Sequence, residues 1–170
     1  MADGVINNLV KNKKLAKKGI AADLDLSGKK PLLGVIVDHE LSEEEVALLD
    51  ELMMALKEVN LEVVVLADNW DGEGAYLKYD RKNRKKMLEA CDMALAFGAN
   101  DVEEMILSGA VPVSLGRKEL VDYDPKSEAG NSFIFKKANV WSVFAAIVRA
   151  LETFKLPYDW KGVMREGLEK

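Results

Sequence analysis

His39 is the only histidine in the chain, and it follows at once on an apolar run, Pro31-Leu32-Leu33-Gly34-Val35-Ile36-Val37, with Asp38 between them. An imidazole at such a place is a candidate general acid or base, because its ordinary pKa lies near neutrality. No nucleophile or positioned carboxylate partner is legible beside it. Gly116-Arg117-Lys118 sets two cations after a second apolar run. That loop reads either as an anion contact or as solvated loop charge. Other constellations are missing. No Gly-x-Gly-x-x-Gly or Walker loop follows the first apolar run, so dinucleotide binding is not expected. Phe97-Gly98 stands where a phosphoacceptor module would carry an aspartate at the end of a central strand. Cys91 is the single cysteine, which excludes an intramolecular disulfide and a cysteine-rich zinc site. It reads as a small core residue, and neither a metal nor a cofactor is expected.

These groups need strands and helices to position them. The runs 31–37, 63–66, 93–97 and 111–113 are short and apolar, 63–66 being β-branched as well, the pattern of strands covered on both faces. Residues 75–79 and 133–135 add two shorter candidates. Between them lie helical patterns. Ser42-Glu43-Glu44-Glu45 is a capping box opening a helix with Val46, Leu49, Leu52, Met53, Leu56 and Val59 on one stripe and Asn60 at its end. A basic helix ends near Cys91, and Asn100 with Glu103 suggests a cap for a short helix before Gly109. Val140, Val143, Phe144, Ile147, Leu151 and Phe154 mark another helix. Residues 6–18 predict an amphipathic docking helix, lysines outward, stopped at Gly19. Alternating strands and helices predict an α/β fold, a single Rossmann-like doubly wound parallel sheet. One domain spans 1–170, with a docking helix and lead-in over 1–30 and a tail helix over 156–170. In such sheets ligands gather beyond the C-terminal strand ends, where helix N-termini offer free N–H groups.

The chain has 170 residues, enough for one core and too few for two substantial lobes. No apolar run approaches the roughly 20 residues of a membrane-spanning helix. The N-terminus lacks a signal pattern, so a cytoplasmic location is expected. A net charge of -5 argues against nucleic acid as a partner. Two basic clusters, Lys11 to Lys18 and Arg81 to Lys86, read as solvated helix faces because no aromatics interleave them. Trp70, Trp141 and Trp160 are scattered, and packing accounts for them.

Gly109-Ala110-Val111-Pro112-Val113, Leu120-Val121-Asp122-Tyr123-Asp124-Pro125, Gly130-Asn131-Ser132-Phe133-Ile134-Phe135 and Pro157-Tyr158-Asp159-Trp160 occur in one order. Together they resemble the C-terminal, nucleotide-sugar-binding half of bacterial glycogen and starch synthases, retaining glycosyltransferases of the GT-B fold. The resemblance implies half of a GT-B fold. In that family the turn after the first strand carries two cations for the donor diphosphate. Here it reads Val37-Asp38-His39-Glu40-Leu41-Ser42-Glu43-Glu44, and carboxylates replace them. Counting back from Gly109, Glu104 takes the place of the family's second acid, while Ala96 replaces the first. Gly116, Arg117 and Lys118 stand where the family has a phosphate-binding Thr-Gly-Gly turn.

The resemblance thus implies a reduced, stand-alone domain, inactive alone, that binds a nucleotide, a sugar phosphate or a protein partner. One alternative is a glycosyltransferase subunit transferring glucose from ADP-glucose or UDP-glucose to an α-glucan once a separate N-terminal lobe or a homo-oligomer completes the cleft. Glu104, Gly116, Arg117 and Lys118 would then hold the donor nucleotide sugar and His39 would assist at the acceptor side. The other alternative is a non-catalytic interaction module.

Overall fold

The apolar runs form six parallel strands: β1 (Leu32–Val37), β2 (Glu62–Ala67), β3 (Ala75–Lys78), β4 (Met93–Phe97), β5 (Val111–Ser114) and β6 (Phe133–Ile134). A computed structural model describes residues 2–97 and 101–169. The sheet order is β3-β2-β1-β4-β5-β6, so the chain builds outward from β1 in one direction, returns, and builds outward from β4 in the other. The direction reverses between β1 and β4, which opens a crevice beyond their C-terminal ends. All six residues of β1 are buried, as a strand covered on both faces requires.

Among the described residues six helices, α1 (Ala2–Leu24), α2 (Glu43–Leu56), α3 (Arg81–Ala90), α4 (Val102–Leu107), α5 (Val140–Phe154) and α6 (Pro157–Leu168), surround the sheet. Leu33, Val35 and Val37 pack with α2, α5 and α6 in one layer, while Leu32 and Ile36 pack with α3 and α4 in the other. A Cβ on Gly34 would meet Met87 Cε at 2.9 Å and Cys91 Sγ at 3.2 Å. Glycine there lets α3 close on β1, and Cys91 is a buried core residue.

The first helix departs from expectation. It runs through Gly19 to Leu24 rather than stopping at residue 18. A mid-helix glycine costs about 1 kcal/mol. Beyond it Ile20 is wholly buried, worth about 1.5–3 kcal/mol, so burial outweighs the glycine. Ile6 joins one core layer and Ile20 the other, which makes α1 part of the core rather than an appendage. Leu15 is 62% exposed, not inward.

The basic clusters are not uniformly solvated either. Lys13 is buried, its Nζ donating at 3.0 Å to the carbonyls of Leu88 and Glu89 near the C-terminus of α3. A cation there meets the negative end of the helix dipole. Burial lowers its pKa from the ordinary 10.5. Lys17 pairs with Asp92 at 2.5 Å, and Asp92 in turn accepts the Leu32 N–H at 2.8 Å, which ties α1 to the start of β1.

Smaller differences have local causes. α2 ends at Leu56, before Asn60, in a turn where Glu58 and Val59 bond back to Ala55 and Leu56. Val46, near its start, is 41% exposed. Asp101 caps α4 by accepting from the Glu104 N–H at 3.2 Å; Asn100 lies outside the described residues. Trp160 is buried under Phe133 and Phe154, yet Trp141 is 75% exposed, so packing does not account for it.

Candidate functional site

The crevice is built where five segments converge. Glu44, Glu45 and Leu48 come from the start of α2, Ala96 from the end of β4, Leu115 and Arg117 from the loop after β5, Phe135 and Ala138 from the segment after β6, and Val143 from α5. They enclose a cleft of about 270 Å³. Most of its lining is apolar, and Glu44, Glu45 and Arg117 bring two carboxylates and one guanidinium to it. A shallow apolar bed with a few converging polar groups is the usual composition of a small-molecule site.

The start of α2 fixes the electrostatics. Ser42 Oγ accepts the Glu45 N–H at 3.2 Å, and Glu45 Oε1 accepts the Ser42 N–H at 3.0 Å, completing the capping box. In a phosphate-binding helix start, those amides and the dipole would face an anion. Here Glu43, Glu44 and Glu45 occupy the first turn and supply the negative charge themselves.

His39 has the carboxylate partners that the sequence left illegible. Its Nε2 lies 3.0 Å from Glu45 Oε2 and its Nδ1 lies 3.2 Å from Asp38 Oδ1. The Glu45 hydrogen bond, followed by that of Asp38, raises the imidazole pKa above its ordinary 6.5. Glu45 moves the other way, held below 4.5 first by the Ser42 backbone N–H and then by His39. The arrangement holds the imidazole between two acids that favour its protonated form, and one of them lines the cleft. No signal short of the folded turn pairs residues 39 and 45.

The four candidate donor-binding residues are not gathered in one place. Arg117 lines the cleft. Gly116 is exposed, and a Cβ there would meet nothing nearer than Ile134 Cγ2 at 4.0 Å. Lys118 turns to the other side of the loop, onto a hollow of about 380 Å³ between α4 and α6 that Glu103, Glu119 and Asn131 also line. Glu104 faces α3, where its Oε2 lies 3.1 Å from Arg84 Nη2. That ion pair is outside hydrogen-bonding geometry, and the Nε and Nη2 of Arg84 are buried without a hydrogen-bond partner among the described residues. Leu48, Phe135, Ala138 and Val143 are lining residues that sequence reasoning did not place at the site, while Glu44 stands out among the carboxylates of the turn after the first strand.

Among the described residues no cluster of three or more histidine, cysteine or acidic side chains is placed to hold a metal ion. Among them, too, no helix is long and apolar enough to cross a membrane.

The geometry defines a class: an α/β chain with a six-stranded parallel sheet of Rossmann order and a crevice at the reversal point, matching the Rossmann-like half of a GT-B fold. No protein-family model matches the chain. Among solved structures it is similar to spinosyn forosaminyltransferase SpnP, with a TM-score of 0.57 and 17% identity over 83% of this chain. It is also similar to the glycosyltransferase SnogD from Streptomyces nogalater, with a TM-score of 0.56 and 16% identity over 84% of this chain. The chain spans 40% of the length of each. At such identities the likeness is one of fold.

Proposed function

We propose that this chain is a glycosyltransferase-like domain, similar to the nucleotide-sugar-binding half of glycogen and starch synthases, whose crevice takes a nucleotide or nucleotide sugar at Arg117. Sugar transfer then requires a second lobe, from a partner or another copy, to close over the cleft. The observation that carries this reading is the cleft itself, at the sheet's reversal point with a guanidinium in its wall. The two glycosyltransferases that share the fold support the class. A diphosphate laid over α2 would meet Glu43, Glu44 and Glu45, so the anionic part of the ligand lies toward Arg117 and the apolar floor takes the base or the sugar's less polar face. Glu104 and Lys118 reach this ligand only through a rearrangement of the loops that carry them, and His39 acts through Glu45.

Titration calorimetry with ADP, UDP and their glucose derivatives tests the reading. Binding that Arg117→Ala weakens about tenfold or more is expected for a charge-assisted contact at a phosphate. The absence of heat with every nucleotide would leave a non-catalytic interaction module, a reading favoured by the carboxylates in the cleft wall.

A further inference from the structure

The crevice lining contains a carboxylate whose hydrogen-bond partner changes charge near neutral pH. Glu45 lines the cleft together with Glu44 and Arg117. Its two oxygens are used differently: Oε1 accepts the Ser42 N–H at 3.0 Å, and Oε2 lies 3.0 Å from His39 Nε2. The other ring nitrogen, Nδ1, lies 3.2 Å from Asp38 Oδ1. With carboxylates at both nitrogens, both contacts are hydrogen bonds only when each nitrogen carries a proton. Other charged residues stand around this turn. Glu40 follows His39, Glu43 and Glu44 begin α2, and Asp68 follows β2, the neighbour of β1. Arg117 comes to the cleft from the loop after β5, and Lys136 and Lys137 lie between the lining residues Phe135 and Ala138. Histidine is the one side-chain type among these whose ordinary pKa lies near neutrality.

We propose that His39 sets the charge of the crevice and makes nucleotide-sugar binding there proton-linked: tighter while the imidazole is protonated and offsets Glu45, weaker once it is neutral. This regulation rests on the cleft being the nucleotide site, as proposed above. The Glu45 hydrogen bond, followed by that of Asp38, raises the imidazole pKa above 6.5, so the tight-binding form is present below the raised value and is lost as pH rises through it. Glu45 keeps its charge throughout that change, because its own pKa is held below 4.5. A diphosphate in the cleft then meets one cation fewer against the same carboxylates. A unit charge lost about 8 Å from a phosphate, in surroundings between protein and water, changes affinity about fivefold. Linkage is reciprocal, so a ligand that prefers the protonated form raises the imidazole pKa further when it binds.

Titration calorimetry with ADP-glucose from about pH 6 to about pH 9 tests the proposal, since this diphosphate diester carries no group that titrates in that range and leaves the change to the protein. The dissociation constant is expected to rise about fivefold across the imidazole midpoint. His39→Gln should bind with the weaker, alkaline constant at every pH. Glu45→Gln keeps a capping-box partner for Ser42, since an amide oxygen also accepts its N–H, and should bind more tightly at the alkaline end with the midpoint moved down. Proton NMR follows the single imidazole of the chain directly, and saturating ADP-glucose should raise its midpoint. A dissociation constant that does not change with pH, or a midpoint that bound ADP-glucose leaves in place, would overturn the proton linkage and leave the nucleotide site standing. No heat at any pH would instead remove the nucleotide site itself, and the linkage with it.

Discussion

His39 and Glu45 stand 3.0 Å apart, Nε2 to Oε2, across the turn that leads from β1 into α2, and the same carboxylate closes the capping box with Ser42. One side chain thus starts the helix and holds the histidine. Since the folded pKa of His39 is raised, its contribution to stability is full below 6.5 and is lost as pH rises through the folded value. Glu45 is depressed, so its contribution is present above 4.5 and lost as pH falls through its folded value. The pair is strongest between those two folded values. His39→Ala should abolish the loss of thermal stability on the alkaline side of that window and reduce the acid-side loss only in part, since the Ser42 N–H remains the first cause of the lowered Glu45 pKa. Proton NMR should show the imidazole titrating above 6.5; a midpoint at or below 6.5 would contradict the assigned contacts.

Glu44 lines the same cleft as Arg117 and sits in the acidic first turn of α2. A unit charge at about 4 Å is worth about 1 kcal/mol in water, so Glu44→Lys exchanges a repulsion for an attraction of similar size. Affinity for ADP or UDP, measured by calorimetry, is expected to rise about tenfold or more. A fall in affinity would show that the carboxylate contacts the ligand directly, through sugar hydroxyls rather than phosphate.

What sequence reasoning delivered was the part set by local periodicity. Val63-Val64-Val65-Leu66 reads as a buried strand because no other element suits a short β-branched run, and Ser42 with Glu45 marks a helix start because both partners lie within one turn. Where the deciding partner is distant, the sequence is silent. Nothing near Lys13 announces that the carbonyls of Leu88 and Glu89 will neutralise its burial, and Gly19 looks like a stop until Ile20 finds the core. Trp141 reads as a packing residue by type, although its helix turns it outward. The site divides in the same way. Arg117 and Lys118 are adjacent in sequence, but a loop sends consecutive side chains to opposite walls, so only one reaches the cleft.

Arg149 and Asp122 close the free edge of β6. Asp122 Oδ1 accepts the Ile134 N–H at 2.8 Å, Arg149 Nη2 donates to the Ile134 carbonyl at 2.8 Å, and the two side chains bond each other at 3.1 Å. Edge strands left with open backbone groups invite pairing with other chains. Asp122→Ala should cost about 1 kcal/mol or less in denaturant unfolding, since the pair is half-exposed. Its larger effect should be on association, read as an earlier rise in light scattering on heating. Unchanged scattering would show that the pair does not protect the edge.

Cys91 lies fully buried between α3 and β1, and burial pushes its thiol pKa up to about 11. The thiolate is the reactive form, so the native protein should resist alkylation near neutral pH and react only on unfolding. Labelling followed by mass spectrometry against denaturant should therefore track the loss of ellipticity. Rapid labelling without denaturant would contradict the packing of α3 on Gly34.

The proposed ligand site lies in the crevice beyond β1 and β4, where the acidic first turn of α2 disfavours a phosphate. A crystal structure with UDP-glucose or ADP-glucose bound decides it. The diphosphate is expected beside Arg117 and the base or sugar against Phe135 and Val143, with no phosphate oxygen on the amides of residues 43–45. An ordered pyrophosphate resting on those amides, next to Asp38 and His39, would contradict it.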